Sequence, residues 1–332
     1  MLFRPTAASF FFFLAALYAV ERVTAFTNHP RITTSHGLAT SFLSSQNRYP
    51  RLPTFSSQTA RDETVVEQED KPFPLVERLF PGAIPYSEML EYLTTNLEER
   101  QYSLSNTLCA TSFCGDELNR PLEKALTDIF NDSYSLGGSA GFPFGGLTAF
   151  QKMKLHIPDN GNCLIVHASH VGVNRDGKVG TVERSQCNHE ERGDQMSCCR
   201  SAVLAAEYVL GVLDGTKEEA LPTVDMLDIS QYYVGSMLMP HAARLKNAGD
   251  NAMVELPFVV YEEQTKLLKQ IVEEGSRYNV FPGNVAILGG IQINTPPGMV
   301  DYFVPINFSF YNGDGSFQEN LISENNDPWA WG

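Results

Sequence analysis

"NTLCATSFCGDELNRPLEKALTDIF", Asn106 to Phe130, decides how this chain folds. Its first eight residues, Asn106 to Phe113, are nearly all apolar or β-compatible and read as a buried strand. Its last stretch places Leu122, Ala125, Leu126, Ile129 and Phe130 at the spacing of one helix face. Pro121 suits the first helical position and leaves Arg120 at the helix mouth. Between strand and helix lies "CGDELNR", which holds Cys114, Asp116 and Arg120. Loops of this kind are where α/β proteins keep their chemistry.

Working outward, the same alternation recurs. "NCLIVHAS" (Asn162–Ser169) reads as a second buried strand, followed at once by His170. A Gly- and charge-rich excursion runs on through Gln195. Ser197 is then a candidate N-cap for a helix from Cys198 to about Leu213, stopped by Asp214-Gly215. Upstream, Ser87 is placed to cap a helix to about Glu99, with Met89, Leu90, Leu93 and Leu97 on one face. A helix is expected over 262–274, and strands over 284–290 and 301–310. Strands alternating with helices predict an α/β fold, a mainly parallel central sheet with helices on both faces. The Gly-rich stretch "GGSAGFPFGGLTAF" (Gly137–Phe150) has neither G-x-G-x-x-G nor a Lys-Ser/Thr pair, so it is not read as a phosphate cradle. It is expected to let backbone approach closely beside an apolar wall made by Phe142 and Phe144.

Composition narrows the partners. A formal net charge of −15 over 332 residues argues against nucleic acid or an anionic membrane surface. The first 25 residues have the features of a signal peptide: Arg4, the apolar stretch Ala7–Val20, and small residues near Ala25. Residues 26–75 are Ser/Thr-rich, and Asp and Glu are absent from Thr27 to Arg61, a transit-peptide composition. The two together resemble the bipartite plastid address of algae with secondary plastids. After processing, no transmembrane span is expected. The folded domain is assigned to residues 76–312, with a loose acidic tail over 313–332.

Six cysteines are present: Cys109, Cys114, Cys163, Cys187, Cys198 and Cys199. A chain of this size has little need of disulfide staples. Cys114 follows the first strand, His170 the second, and Cys198 or Cys199 falls in the first turn of a helix. Strand ends converge on one edge of a parallel sheet, so these groups can meet. Two thiolates and one imidazole leave a tetrahedral position open, the pattern of catalytic zinc (Zn2+). Asp116 is placed to accept a hydrogen bond from the reacting water, and Arg120 to keep that carboxylate ionised. His167 is the substitute ligand should His170 fail, and His241 is a candidate lining residue. His189 and Cys187 read as loop residues, Cys109 and Cys163 as core.

The motifs "FCGDELNR", "GFPFGGLTAF", "HVGV", "DGKVG", "SCCRSA", "LGGIQINTP" and "DYFVP" together resemble the low-CO2-inducible protein B family over roughly residues 85–310. That family includes the θ-type carbonic anhydrases of algal plastids. The resemblance implies a fold and zinc site like those of β-carbonic anhydrases. It implies Cys114, His170 and Cys199 (alternate Cys198) as metal ligands, and Asp116 with Arg120 as the catalytic dyad. It further implies CO2 and bicarbonate as substrates, a plastid CO2-concentrating role and a homodimer. The sequence departs from the pattern in three places. Arg120 comes two residues later than C-x-D-x-R requires, a long excursion separates His170 from Cys199, and Arg200 stands where Gly is usual. A non-catalytic scaffold retaining the zinc fold is the alternative. A thiol-redox pair at Cys198–Cys199 lacks a C-x-x-C spacing.

Overall fold

The computed structural model describes residues 71–184, 197–218, 227–277 and 281–322, all within one compact unit, Val65–Gly332. The expected signal peptide, nearly all of the transit-like segment, Cys187, His189 and the last ten residues lie outside them.

Seven strands form one sheet: β1 (Ile84–Pro85), β2 (Thr107–Ser112), β3 (Ser133–Ser135), β4 (Asn162–Gly172), β5 (Val285–Asn294), β6 (Tyr302–Tyr311) and β7 (Phe317–Asn320). Their order is β1-β6-β5-β4-β2-β3, with β7 also on β6. Pairs β3–β2, β2–β4 and β4–β5 are parallel, while β6 runs antiparallel to β5, β1 and β7. Only β6 therefore opposes the common direction, and the mainly parallel α/β fold read from the sequence holds.

Eight α-helices are described: α1 (Pro74–Leu79), α2 (Tyr86–Glu99), α3 (Arg120–Phe130), α4 (Gly146–Lys154), α5 (Arg200–Leu213), α6 (Ile229–Leu238), α7 (Ala242–Ala248) and α8 (Ala252–Ser276). All eleven residues of β4 are buried, as expected of a strand covered on both faces. Leu164, Val166 and Ala168 point to a core with Met89, Leu93 and Leu97 of α2 and Leu122, Leu126 and Phe130 of α3. Cys163 and Ile165 point the other way, against Phe150 and Met153 of α4 and Leu268, Ile271 and Val272 of α8. Cys109 and Cys163 are core residues, as read.

Several boundaries moved. The helix cap assigned to Ser87 falls inside α2, whose N-cap is Pro85. The helix expected over 262–274 begins at Ala252, because Pro257 sits inside α8 without ending it. The helix expected from Cys198 begins at Arg200, with Cys199 as its N-cap residue. The tail expected to be loose after residue 312 contributes β7, and the domain starts earlier than residue 76, at α1.

The topology fixes where chemistry can sit. From β2 the chain moves outward to β3, returns to β4 on the other side of β2, then moves inward to β5. The connections diverge between β2 and β4, so a crevice opens at the carboxyl ends of those two strands, the ordinary ligand position of an open α/β sheet.

Candidate metal centre

Cys114 lies two residues beyond the end of β2, His170 near the carboxyl end of β4, and Cys199 at the mouth of α5. The fold brings one ligand atom from each within 4.8 Å of the others. Cys114 Sγ and Cys199 Sγ are 3.7 Å apart. The Cys199 thiol beside it, together with burial, pushes the Cys114 thiol well above its ordinary range. Two sulfurs at this separation are placed to share one cation.

His170 supplies the third atom. Its Nδ1 donates to Oδ1 of Asn294 at 3.0 Å, which fixes the tautomer and leaves the lone pair on Nε2. Nε2 is buried and meets no hydrogen-bond partner among the described residues. A buried imidazole nitrogen with a free lone pair beside two thiols is the donor set of a zinc site with three protein ligands. Asn294 is itself anchored, donating through Nδ2 to the Leu118 carbonyl at 3.0 Å.

The Cys198–Cys199 pair divides its work. Cys199 faces Cys114 and packs in a cluster with Phe142 and Ala202. Cys198 Sγ lies 3.4 Å from His170 Nδ1 and 3.5 Å from Asn294 Oδ1, on the far side of the ring from Nε2. A second grouping, Asp116, His170 and Cys198, also falls within 4.8 Å, so Cys198 remains a geometric alternate. The cysteines of the described residues are free, so no disulfide joins this pair.

The arginine partner is different from the one read in the sequence. Arg120 Nη1 pairs with Glu123 one turn along α3, and its side chain is 61% exposed. Its position at the helix mouth turns it toward solvent. Asp116 pairs instead with Arg184, Oδ1 with Nη1 at 3.0 Å and Oδ2 with Nη2 at 3.1 Å, a two-pronged contact. Arg184 also reaches Glu117 and the Ser197 carbonyl. Burial opposes the charged form of Asp116, but the Arg184 guanidinium and the Leu118 N–H outweigh it and hold the carboxyl below its usual range.

The glycine-rich stretch behaves as expected beside the site. Gly141 has φ +80°, and a Cβ there would meet Gln264 Nε2 at 2.6 Å, Ala168 O at 2.7 Å and Cys114 N at 3.3 Å. Only glycine lets this loop lie against the end of β2. Phe142 is fully buried, stacks on Phe144 with centroids 5.3 Å apart, and walls the Cys199 side. A helix, α4, starts within the stretch at Gly146.

Neither His167 nor His241 is grouped with the three candidate ligands. His167 faces the opposite side of β4 and stacks on Tyr261 at 5.2 Å, and burial alone lowers its pKa to about 3. His241 pairs with Glu263 at 2.6 Å. Arg200 is exposed. Sequence reasoning missed Asn294 and Arg184.

Two thiols, an imidazole and an Asp–Arg pair gathered at a parallel strand switch are the features of a carbonic-anhydrase-like α/β domain. Residues 83–312 match the family model of limiting CO2-inducible proteins B/C beta carbonic anhydrases, well over half the chain, and the chain belongs to that family. The structure is similar to PtLCIB4, a homologue of the limiting CO2-inducible protein LCIB, at 43% identity and TM-score 0.68, covering 75% of this chain and 99% of that one. A mutant of PtLCIB4 matches at 42% identity and the same TM-score, covering 75% of this chain and 98% of that one. LCIB itself matches in fold, at 16% identity and TM-score 0.54, over 73% of this chain and 96% of that one. No curated protein matches the chain.

Proposed function

We propose that this domain catalyses the reversible hydration of CO2 to bicarbonate with a zinc ion held by Cys114, His170 and Cys199. The observation that carries the proposal is the unsatisfied Nε2 of His170 beside two thiols 3.7 Å apart, with Asp116 locked on Arg184 close by. When bound, zinc supplies Lewis acidity and lowers the pKa of water toward neutrality.

The chain's own residues do the rest. Asn294 accepts from Nδ1 of His170 and holds the ring so that Nε2 presents its lone pair. Asp116 Oδ1 accepts from Arg184 and from the Leu118 N–H, while Oδ2 accepts from Arg184 alone. A carboxylate oxygen has two acceptor positions, so Oδ2 keeps one to orient the reacting water. Arg184 keeps that carboxylate ionised and still. Phe142 gives neutral CO2 an apolar surface and excludes competing water. The acidic surface is no obstacle to a neutral substrate.

Stopped-flow CO2 hydration by the zinc-loaded full chain, with Cys114→Ala as control, tests the proposal. Turnover well above the control is expected, and a rate equal to it would leave only the scaffold reading. A homodimer and a plastid destination belong to the same proposal, since both rest on the family resemblance and the N-terminal composition. Sedimentation and imaging of a tagged chain test them. Among the described residues no helix is long and apolar enough to cross a membrane.

A further inference from the structure

The carboxyl end of β5 carries a second amide beside the site. In the β4–β5 register Gln292 lies opposite His170, two residues before Asn294, which lies opposite Gly172. Paired residues of neighbouring strands share a face. Gln292 and Asn294 therefore flank the His170 side of the sheet, the face that also carries Leu164 and Val166.

The two amides differ in how they are satisfied. Asn294 is bonded at both ends, through Oδ1 from His170 and through Nδ2 to Leu118. Gln292 is bonded at one. Its Oε1 accepts from the Tyr86 hydroxyl at 3.1 Å. Burial, with Asp301 and Cys198 nearby, raises the Tyr86 pKa well above the usual phenol range, so the hydroxyl keeps its proton and remains a donor. That bond turns Gln292 so that its nitrogen faces away from Tyr86. Gln292 is 0% exposed, and its Nε2 has no partner among the described residues. A buried N–H2 group without an acceptor loses its hydration for nothing in return, so it is kept where a ligand supplies the acceptor.

Two further buried atoms around the same strand ends also lack partners: His170 Nε2 and Asn119 Oδ1. Asn119 is 1% exposed and donates through Nδ2 to the Cys114 carbonyl at 3.2 Å. The Glu117–Asn119 turn that carries it is tied to β5 by the Leu118–Asn294 bond. The unmet set at this edge therefore contains an amide donor and an amide acceptor. A small oxyanion that still carries one proton offers both complements. Neutral CO2, a poor acceptor with no hydrogen to donate, offers neither.

We infer that Gln292, held by Tyr86, is the hydrogen-bond donor that recognises bicarbonate in this site. The inference rests on the carbon dioxide–bicarbonate reading above and adds the residue that binds the charged partner of that pair. Its sequence signal is the polar–apolar alternation "IQIN" (Ile291–Asn294) at the end of an otherwise apolar strand.

The test is isothermal titration of bicarbonate into the zinc-loaded full chain, compared with Gln292→Leu and Tyr86→Phe. Zinc content and circular dichroism are measured on each. Loss of the donor is expected to weaken bicarbonate about 10- to 100-fold at unchanged zinc content, and loss of its anchor by less. Bicarbonate affinity in Gln292→Leu equal to wild type, or no bicarbonate binding by the wild type, would overturn the inference and leave Nε2 to an ordinary buried water. Should Gln292→Leu fail to fold, Gln292→Met and Tyr86→Phe carry the test, and unchanged affinity in both overturns it. Stopped-flow on the wild type separates this from the broader reading. Turnover with Gln292-independent affinity sinks only the inference, whereas Gln292-dependent affinity without turnover sinks only the enzyme assignment.

Discussion

The two sides of the His170 ring are built from different materials. On the Nε2 side stand the thiols of Cys114 and Cys199, backed by Phe142 and reached across a glycine at 141. On the Nδ1 side stand Asn294 and the Cys198 thiol. The first side is soft, partly open and short of hydrogen bonds. The second is buried and polar. Under the proposed zinc reading, the contrast separates groups that would bind the cation from groups that keep the binding group still, and it gives two adjacent cysteines opposite roles.

Substitutions can break that contrast. The largest effect is expected from Cys199→Ser against Cys198→Ser. The first should drop zinc from about one per chain to well below it and remove CO2 hydration, with a loss of about a thousandfold or more, since a three-ligand site does not survive on two. The second should retain zinc. Metal analysis and stopped-flow on the two variants check this, and zinc loss only in Cys198→Ser would reverse the roles.

Arg184→Leu comes next. It leaves Asp116, 12% exposed, without its cation, and removing one partner of such a pair typically costs about 3–5 kcal/mol. Denaturant unfolding should register that loss, and hydration should fall about 100-fold as the carboxylate loses its hold. Arg120→Leu, which breaks only an exposed contact with Glu123, should change stability by less than about 1 kcal/mol and leave the rate within about twofold.

Asn294→Ala removes the acceptor for Nδ1, and such partners are typically worth about 10- to 100-fold in metal affinity. Competition with a chromophoric chelator measures it. Gly141→Ala acts on the backbone rather than on the metal. There φ +80° and the 2.7 Å approach to Ala168 O should cost about 1–3 kcal/mol of stability, read as a lowered denaturation midpoint.

How much of this was legible in the chain divides along the same line. The Nε2 side lay in local patterns: a strand, a turn and a helix mouth around Cys114, and a helix start after the cysteine pair. The Nδ1 side did not. Asn294 reaches His170 from 124 positions away, through a β4–β5 register that no local pattern sets. Arg184 reaches Asp116 from 68 positions away, at the edge of the Gly- and charge-rich excursion, while Arg120 was close in sequence and wrong in space. Closeness along the chain favoured Arg120. Helix geometry overruled it, because a residue at the first turn pairs most easily with the one three positions on, here Glu123. Pro257 sits inside α8 without ending it, and the helix begins ten residues before its expected start at 262.

The central claim, that one side of His170 binds and the other holds, is tested most directly by zinc K-edge absorption spectroscopy on the loaded full chain. The account predicts two sulfur ligands at about 2.3 Å and two nitrogen or oxygen ligands at about 2.0–2.1 Å. The same shell should persist in Cys198→Ser. A third sulfur in the wild type, or a sulfur lost on replacing Cys198, would contradict it.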